Sequence, residues 1–101
     1  MNLTSFLQDH RLTIALKGEI DHHSAKMMME EIGRKIDQYL PLTCVLDFRE
    51  VGFMDSSGIA MVIFVLRRER ELGGKVYLQN VPQQPLKVLQ AAGIEKIAEI
   101  R

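Results

Sequence analysis

Residues 43–48, "TCVLDF", form a nearly continuous apolar run with β-branched content. A strand of that kind must be covered on both faces, which places it in the middle of a sheet. The rest of the chain has to supply the cover. Upstream, Leu12, Ile14 and Leu16 alternate with Thr13, Ala15 and Lys17, the period of a half-buried strand, and "QDHR" before them marks a tight turn from an earlier strand around Leu3 to Leu7. From Ser24 the period lengthens. Ala25, Met28, Met29, Ile32, Ile36, Tyr39 and Leu40 follow helical spacing, Glu30/Arg34 and Glu31/Lys35 pair on the wet side, and Pro41 stops the helix.

Downstream, "IAMVIFVL" at 59–66 suits a buried strand or a buried helix by its apolar content alone. Its surroundings decide for a helix. A capping signal precedes the run, "RRERE" extends it without a turn residue, and "LGG" at 72–74 closes it with glycine, which predicts a helix over 57–72. "KVYLQ" then predicts a strand, "PQQPLKVLQAAG" a short helix begun by Pro85 and ended by Gly93, and "IEKIAEI" a last strand. Strand and helix alternate after the opening hairpin. The expected fold class is therefore α/β, one domain over 1–101 with a mixed, mainly parallel sheet packed with helices.

Chain length and charge narrow the function classes. A core of this size buries roughly 60–70% of the unfolded surface, enough for one self-sufficient domain. Thirteen basic and thirteen acidic residues cancel, so the basic surplus that nucleic acid binding draws on is missing. Cys44, the single cysteine, lies inside the apolar run and reads as a small buried hydrophobe in a reducing compartment. The N-terminus lacks a basic segment followed by an apolar one, and no apolar stretch approaches the ~20 residues of a membrane span. These features point to a cytoplasmic protein that contacts neither nucleic acid nor membrane.

Two short stretches have the residue types for chemistry or recognition. In "MDSSG" the chain leaves the central strand and enters a helix, so Asp55 or Ser56 can accept a hydrogen bond from the first free backbone N–H groups. The same position suits modification, because the positive end of a helix stabilises phosphate. On the helix that follows, Ile59, Val62, Ile63 and Leu66 share one arc, while Met61 and Phe64 fall on roughly the opposite side. Either a neighbouring element covers Met61 and Phe64, or they form a partner-binding surface that begins at the serine turn. In "GEIDHHSAK", Asp21, His22 and His23 offer a helix cap or, as a rival of a different class, the start of a metal-dependent phosphoesterase site. Adjacent histidines point apart in most backbone conformations, and His10, the remaining histidine, is in a turn. The sequence holds no Gly-rich phosphate cradle and no Ser/His/Asp constellation, and it does not read as an enzyme.

Taken together, "GEIDHHSA", "VLDFREVGFMDSSGIAMVI" and "GGKVYLQNVPQQPLKVLQAAGI" resemble the anti-sigma factor antagonists, small bacterial STAS domains, in order and at the expected spacings from about Leu3 to Ile100. The "DHH" after Gly-Glu-Ile favours the sporulation branch. That resemblance implies a transcription regulator that is a phosphoprotein and carries no cofactor. In such proteins an anti-sigma factor serine kinase, bringing its own ATP, phosphorylates the serine directly after the aspartate, here Ser56. The unphosphorylated form binds the anti-sigma factor and releases the sigma factor; phosphorylation switches binding off, and a serine phosphatase restores it. Implied partner-binding residues are Asp21, Asp55, Ser56, Ser57 and Gly58, to which the helical-wheel reading adds Met61 and Phe64. Ala60 stands where many relatives carry glycine. A nearer rival keeps the fold and makes the domain a scaffold in a stress-sensing assembly.

Overall fold

A hairpin opens the chain in the computed structural model, which describes residues 2–101; Met1 lies outside them. Strands β1 (Leu3–Gln8) and β2 (Arg11–Ile20) pair antiparallel through a two-residue turn in which Asp9 and His10 both have positive φ, 51° and 63°. Such a turn matches the right-handed twist of the flanking strands, and Asp and His enter that region more readily than most residues. Strand β3 (Thr43–Met54) lies parallel to β2, and β4 (Lys75–Gln79) lies parallel to β3. A short β5 (Glu99–Ile100) completes a five-stranded sheet in the order β1-β2-β3-β4-β5, with β3 central. The His10 carbonyl accepts from both the Leu42 and Thr43 N–H groups, at 2.9 and 3.2 Å, and so ties the hairpin turn to the start of β3.

One face of the sheet carries Leu12, Ile14, Leu16, Cys44, Leu46, Phe48, Val76 and Leu78 into a single buried cluster. Helices α1 (His22–Tyr39), α2 (Ser57–Glu71) and α3 (Gln83–Ala91) join the same cluster through residues such as Met28, Ile32, Val62 and Leu89. On the far face Val45 is also buried, flanked in register by Thr13 and Tyr77. The chain thus adopts the expected mixed, mainly parallel α/β architecture.

Local differences from the sequence reading have physical causes. Helix α1 starts at His22, two residues before Ser24, because Asp21 and Ser24 form a reciprocal capping box: each side chain accepts the other's N–H at 2.9 Å. Helix α3 starts at Gln83, so Pro85 occupies the third helical position, where its missing N–H leaves no intrahelical bond unmade. The expected strand "IEKIAEI" is mostly a 3-10 turn (Ile94–Lys96), with the Ile94 carbonyl accepting from Ile97 and Ala98. Apolar residues 94, 97 and 98 fit a helical spacing, while 94, 98 and 100 fit an alternating one.

Met61 requires a correction. It is fully buried and cannot form part of an exposed docking face. Helix α1 covers that side of α2: the Phe64 ring lies over Gly33, 3.0 Å from where a Cβ would stand, and Arg68 donates to Asp37 at 2.6 Å. Two apolar arcs on α2 therefore reflect two packed sides, one of them against α1.

Candidate functional site

The last residues of β2 and β3 pair in register, Glu19 with Phe53 and Ile20 with Met54. Asp21 and Asp55 come next in each strand, so the two loops singled out in the sequence leave the sheet side by side. Two register shifts between β2 and β3, opposite Ala15–Lys17 and Gly18–Glu19, each give β3 one extra residue before this exit. Gly18 has φ +91°, a conformation in which an L side chain is strained. The Asp55 N–H donates to the Ile20 carbonyl at 3.0 Å and fastens one loop to the other.

At the serine turn, capping and exposure fall to different residues. Asp55 Oδ1 accepts the Ser57 N–H at 2.8 Å, and the Asp55 carbonyl accepts the Gly58 N–H at 3.1 Å. Asp55, half-buried, thus takes the work of starting α2. Ser56 occupies the N-cap position with φ −63° and ψ −17°, yet its hydroxyl makes no capping bond and is exposed. That leaves an accessible nucleophilic oxygen at the positive end of a 15-residue helix. Ser57 is half-buried and Gly58 is buried, and a Cβ on Gly58 would run into the Met54 side chain, itself fully buried.

The neighbouring loop is anionic. Asp21 is exposed, and the backbone and hydroxyl hydrogen bonds from Ser24 hold its carboxyl below the usual range, so it is ionised at neutral pH. Its carboxylate is engaged in the cap of α1, and His22 and His23 are exposed on the first turn. Among the described residues no three His, Cys, Asp or Glu side chains come close enough to hold a metal ion, so the Asp21, His22 and His23 rival lacks a ligand set. No helix of the described residues is long and apolar enough to cross a membrane.

Two residues at this site escape a reading of the sequence alone. Phe53 is 44% exposed at the end of β3, beside the serine turn; the period of β3 hides it, because its distal half no longer alternates evenly. Gln84, thirty residues away in the chain, accepts the Met54 N–H at 2.8 Å and donates to the Met54 carbonyl at 2.9 Å. No local pattern announces it. Phe64, by contrast, is half-buried against Gly33 with the Arg68 guanidinium 5.0 Å from its ring centre.

Comparison with known proteins matches this arrangement to one family. The family model described as the STAS domain matches residues 5–101. An anti-sigma F factor antagonist from Lysinibacillus sphaericus is 31% identical over 83 residues, 82% of this chain and 71% of that protein. Among solved structures, the unphosphorylated form of the anti-sigma factor antagonist SpoIIAA has a TM-score of 0.85 at 27% identity, covering 98% of this chain and 87% of that one. The phosphorylated form of the Bacillus cell fate determinant SpoIIAA has a TM-score of 0.76, also at 27% identity, over 98% and 90%.

Proposed function

This chain belongs to the STAS domain family, and from that premise we propose that it is an anti-sigma factor antagonist switched by phosphorylation of Ser56. It is a regulatory binding protein and not an enzyme. The observation that carries this reading is the division of labour at the turn: Asp55 caps the helix, so the Ser56 hydroxyl stays exposed and free of any capping bond. A phosphorylated form of the similar SpoIIAA supports the same reading.

The unphosphorylated protein binds an anti-sigma factor serine kinase in the cytoplasm and thereby releases the sigma factor, in a sporulation-type control of transcription. Its docking surface comprises Asp21, Asp55, Ser56 and Ser57 with Phe53 as the apolar element; Gly58 shapes the turn from beneath. Phosphate on Ser56 adds a charge of roughly −2 next to Asp55, on the turn that leaves the sheet beside the Asp21 loop. Each like-charge pair at 4 Å costs about 1 kcal/mol in water and up to about 4 at intermediate dielectric. A loss of about 4 kcal/mol weakens binding roughly a thousandfold, enough for a switch. A serine phosphatase resets it.

Intact and peptide mass spectrometry tests the proposal, after incubation with ATP and the anti-sigma kinase of the same genome and with a kinase-free control. One phosphate on the peptide containing Ser56, dependent on kinase, is the expected result. An unmodified peptide in the presence of a kinase active on its own known substrate overturns it.

A further inference from the structure

We infer that Gln84 is the positioning residue of the serine turn, its side-chain amide standing in for a strand that the sheet lacks at that point. The inference rests on the Ser56 switch for its functional meaning, but its geometric part stands independently. Strand β4 pairs with β3 only over Thr43–Asp47, whereas β2 follows β3 as far as Met54. The outer half of β3 therefore has a strand on one side only. Asp55 turns its N–H toward β2 and the Ile20 carbonyl. Because successive residues of a strand point their backbone groups to opposite sides, Met54 turns its N–H and carbonyl away from β2, where no strand receives them.

The Gln84 carboxamide receives both. It has one acceptor and two donors in a fixed plane, the same pair of functions a neighbouring peptide unit presents, and it meets Met54 at 2.8 and 2.9 Å. The Met54 side chain is held under Gly58, and the next residue is held by Ile20. Met54 is thus fixed on three sides, two residues before Ser56. Through Gln84, the N-terminus of α3 belongs to the machinery that aims the Ser56 hydroxyl, although α3 follows Ser56 by more than two dozen residues.

Gln84→Met tests this, because it keeps the length and packing of the side chain and removes both hydrogen bonds. The readouts are amide hydrogen exchange at Met54 and Asp55, the amide chemical shifts of residues 54–58, thermal stability, and the kcat and KM for phosphorylation of Ser56. We expect exchange at Met54 to rise at least tenfold, shifts confined to the turn, a lower Tm from the two lost hydrogen bonds, and, beyond that, a several-fold fall in kcat of the folded protein with KM changed little. A residue with a merely structural role would lower Tm and leave the kinetics of the folded fraction unchanged. Gln84→Glu, which keeps the acceptor but sets a carboxylate against the Met54 carbonyl, is expected to act in the same direction. Wild-type kinetics of the folded Gln84→Met protein overturn the inference, whatever its amide shifts and Tm. If the wild-type protein is not phosphorylated at all, the proposed function fails, while exchange and shifts at Met54 still decide whether Gln84 holds the turn.

Discussion

Asp55 donates its N–H to the Ile20 carbonyl at 3.0 Å and accepts the Ser57 N–H on its side chain at 2.8 Å, so one residue both joins two loops and starts a helix. Replacing the carboxylate leaves the first contact and removes the second. Asp55→Ala is expected to cost about 1 kcal/mol of stability, as lost caps do, and to loosen the turn. Denaturant titration measures the cost, and a midpoint unchanged from wild type contradicts the capping role.

At the modification site the two simplest substitutions diverge. Ser56→Ala removes the acceptor oxygen and is expected to bind the anti-sigma factor persistently, even with ATP present. Ser56→Asp supplies about half the charge of a phosphate and is expected to weaken binding less than phosphorylation does. Calorimetry of both variants against the same partner checks this; wild-type affinity for Ser56→Asp argues against a switch based on charge.

Gly58 has no room for a side chain. A methyl there meets the buried Met54 thioether, and Gly58→Ala is expected to lose about 1–3 kcal/mol although alanine is the better helix former. A rise in Tm for this variant would mean that Met54 can move aside.

Glu69 is the one charge-bearing side chain that the fold buries completely, among the described residues, and neither of its carboxylate oxygens has a hydrogen-bond partner. It packs against Gly74, and burial pushes its carboxyl up from 4.5 to about 7. Between those values the folded protein holds a proton that the unfolded chain releases. Stability is then full below pH 4.5, falls as pH rises toward 7, and stays lost above it, a difference of up to about 3 kcal/mol. Glu69→Gln should flatten this slope and raise stability at pH 8, as urea midpoints across pH 4–8 would show. An equal slope in both proteins would assign it to other groups.

Ser24 ties the first turn of α1 to the end of β2. Its hydroxyl oxygen accepts the Asp21 N–H at 2.9 Å, and its single hydroxyl proton is shared between the Glu19 carbonyl at 2.9 Å and the Asp21 carboxylate at 3.1 Å. Ser24→Ala is expected to cost about 1–2 kcal/mol and to speed amide exchange in the first turn of α1. Unchanged exchange at Asp21 would exclude the reciprocal bond.

How much of this is visible in the sequence depends on the range of the interaction that sets it. The central strand, the hairpin and the 57–71 helix follow from period and turn residues, because local propensity and burial agree there. Asp55 and Ser56 could be named as alternative caps, but the choice between them depends on backbone angles that the residue types leave open. An isolated helical wheel leaves open whether Met61 is covered or free for a partner, because it does not contain α1, which packs on α2 at Gly33, where the absence of a side chain admits Phe64. Gln84 was illegible for the same reason in stronger form: its meaning comes entirely from a strand end thirty residues earlier. The last apolar residues are ambiguous because 94, 97, 98 and 100 fit two periods; in the structure Gly93, in the left-handed conformation at φ +74°, leads into the tighter one.

Cys44 is fully buried in the central strand, and its thiol is pushed up to about 12, first by burial and then by the nearby Glu69 charge. A thiol of that kind is hardly ever a thiolate at neutral pH, and so does not react with maleimides while the protein is folded. The native sequence is therefore a ready background for site-specific labelling. A cysteine introduced at exposed Ala92, at the end of α3, would take a fluorophore alone. Movement of that helix relative to a partner could then be followed without first removing a native thiol.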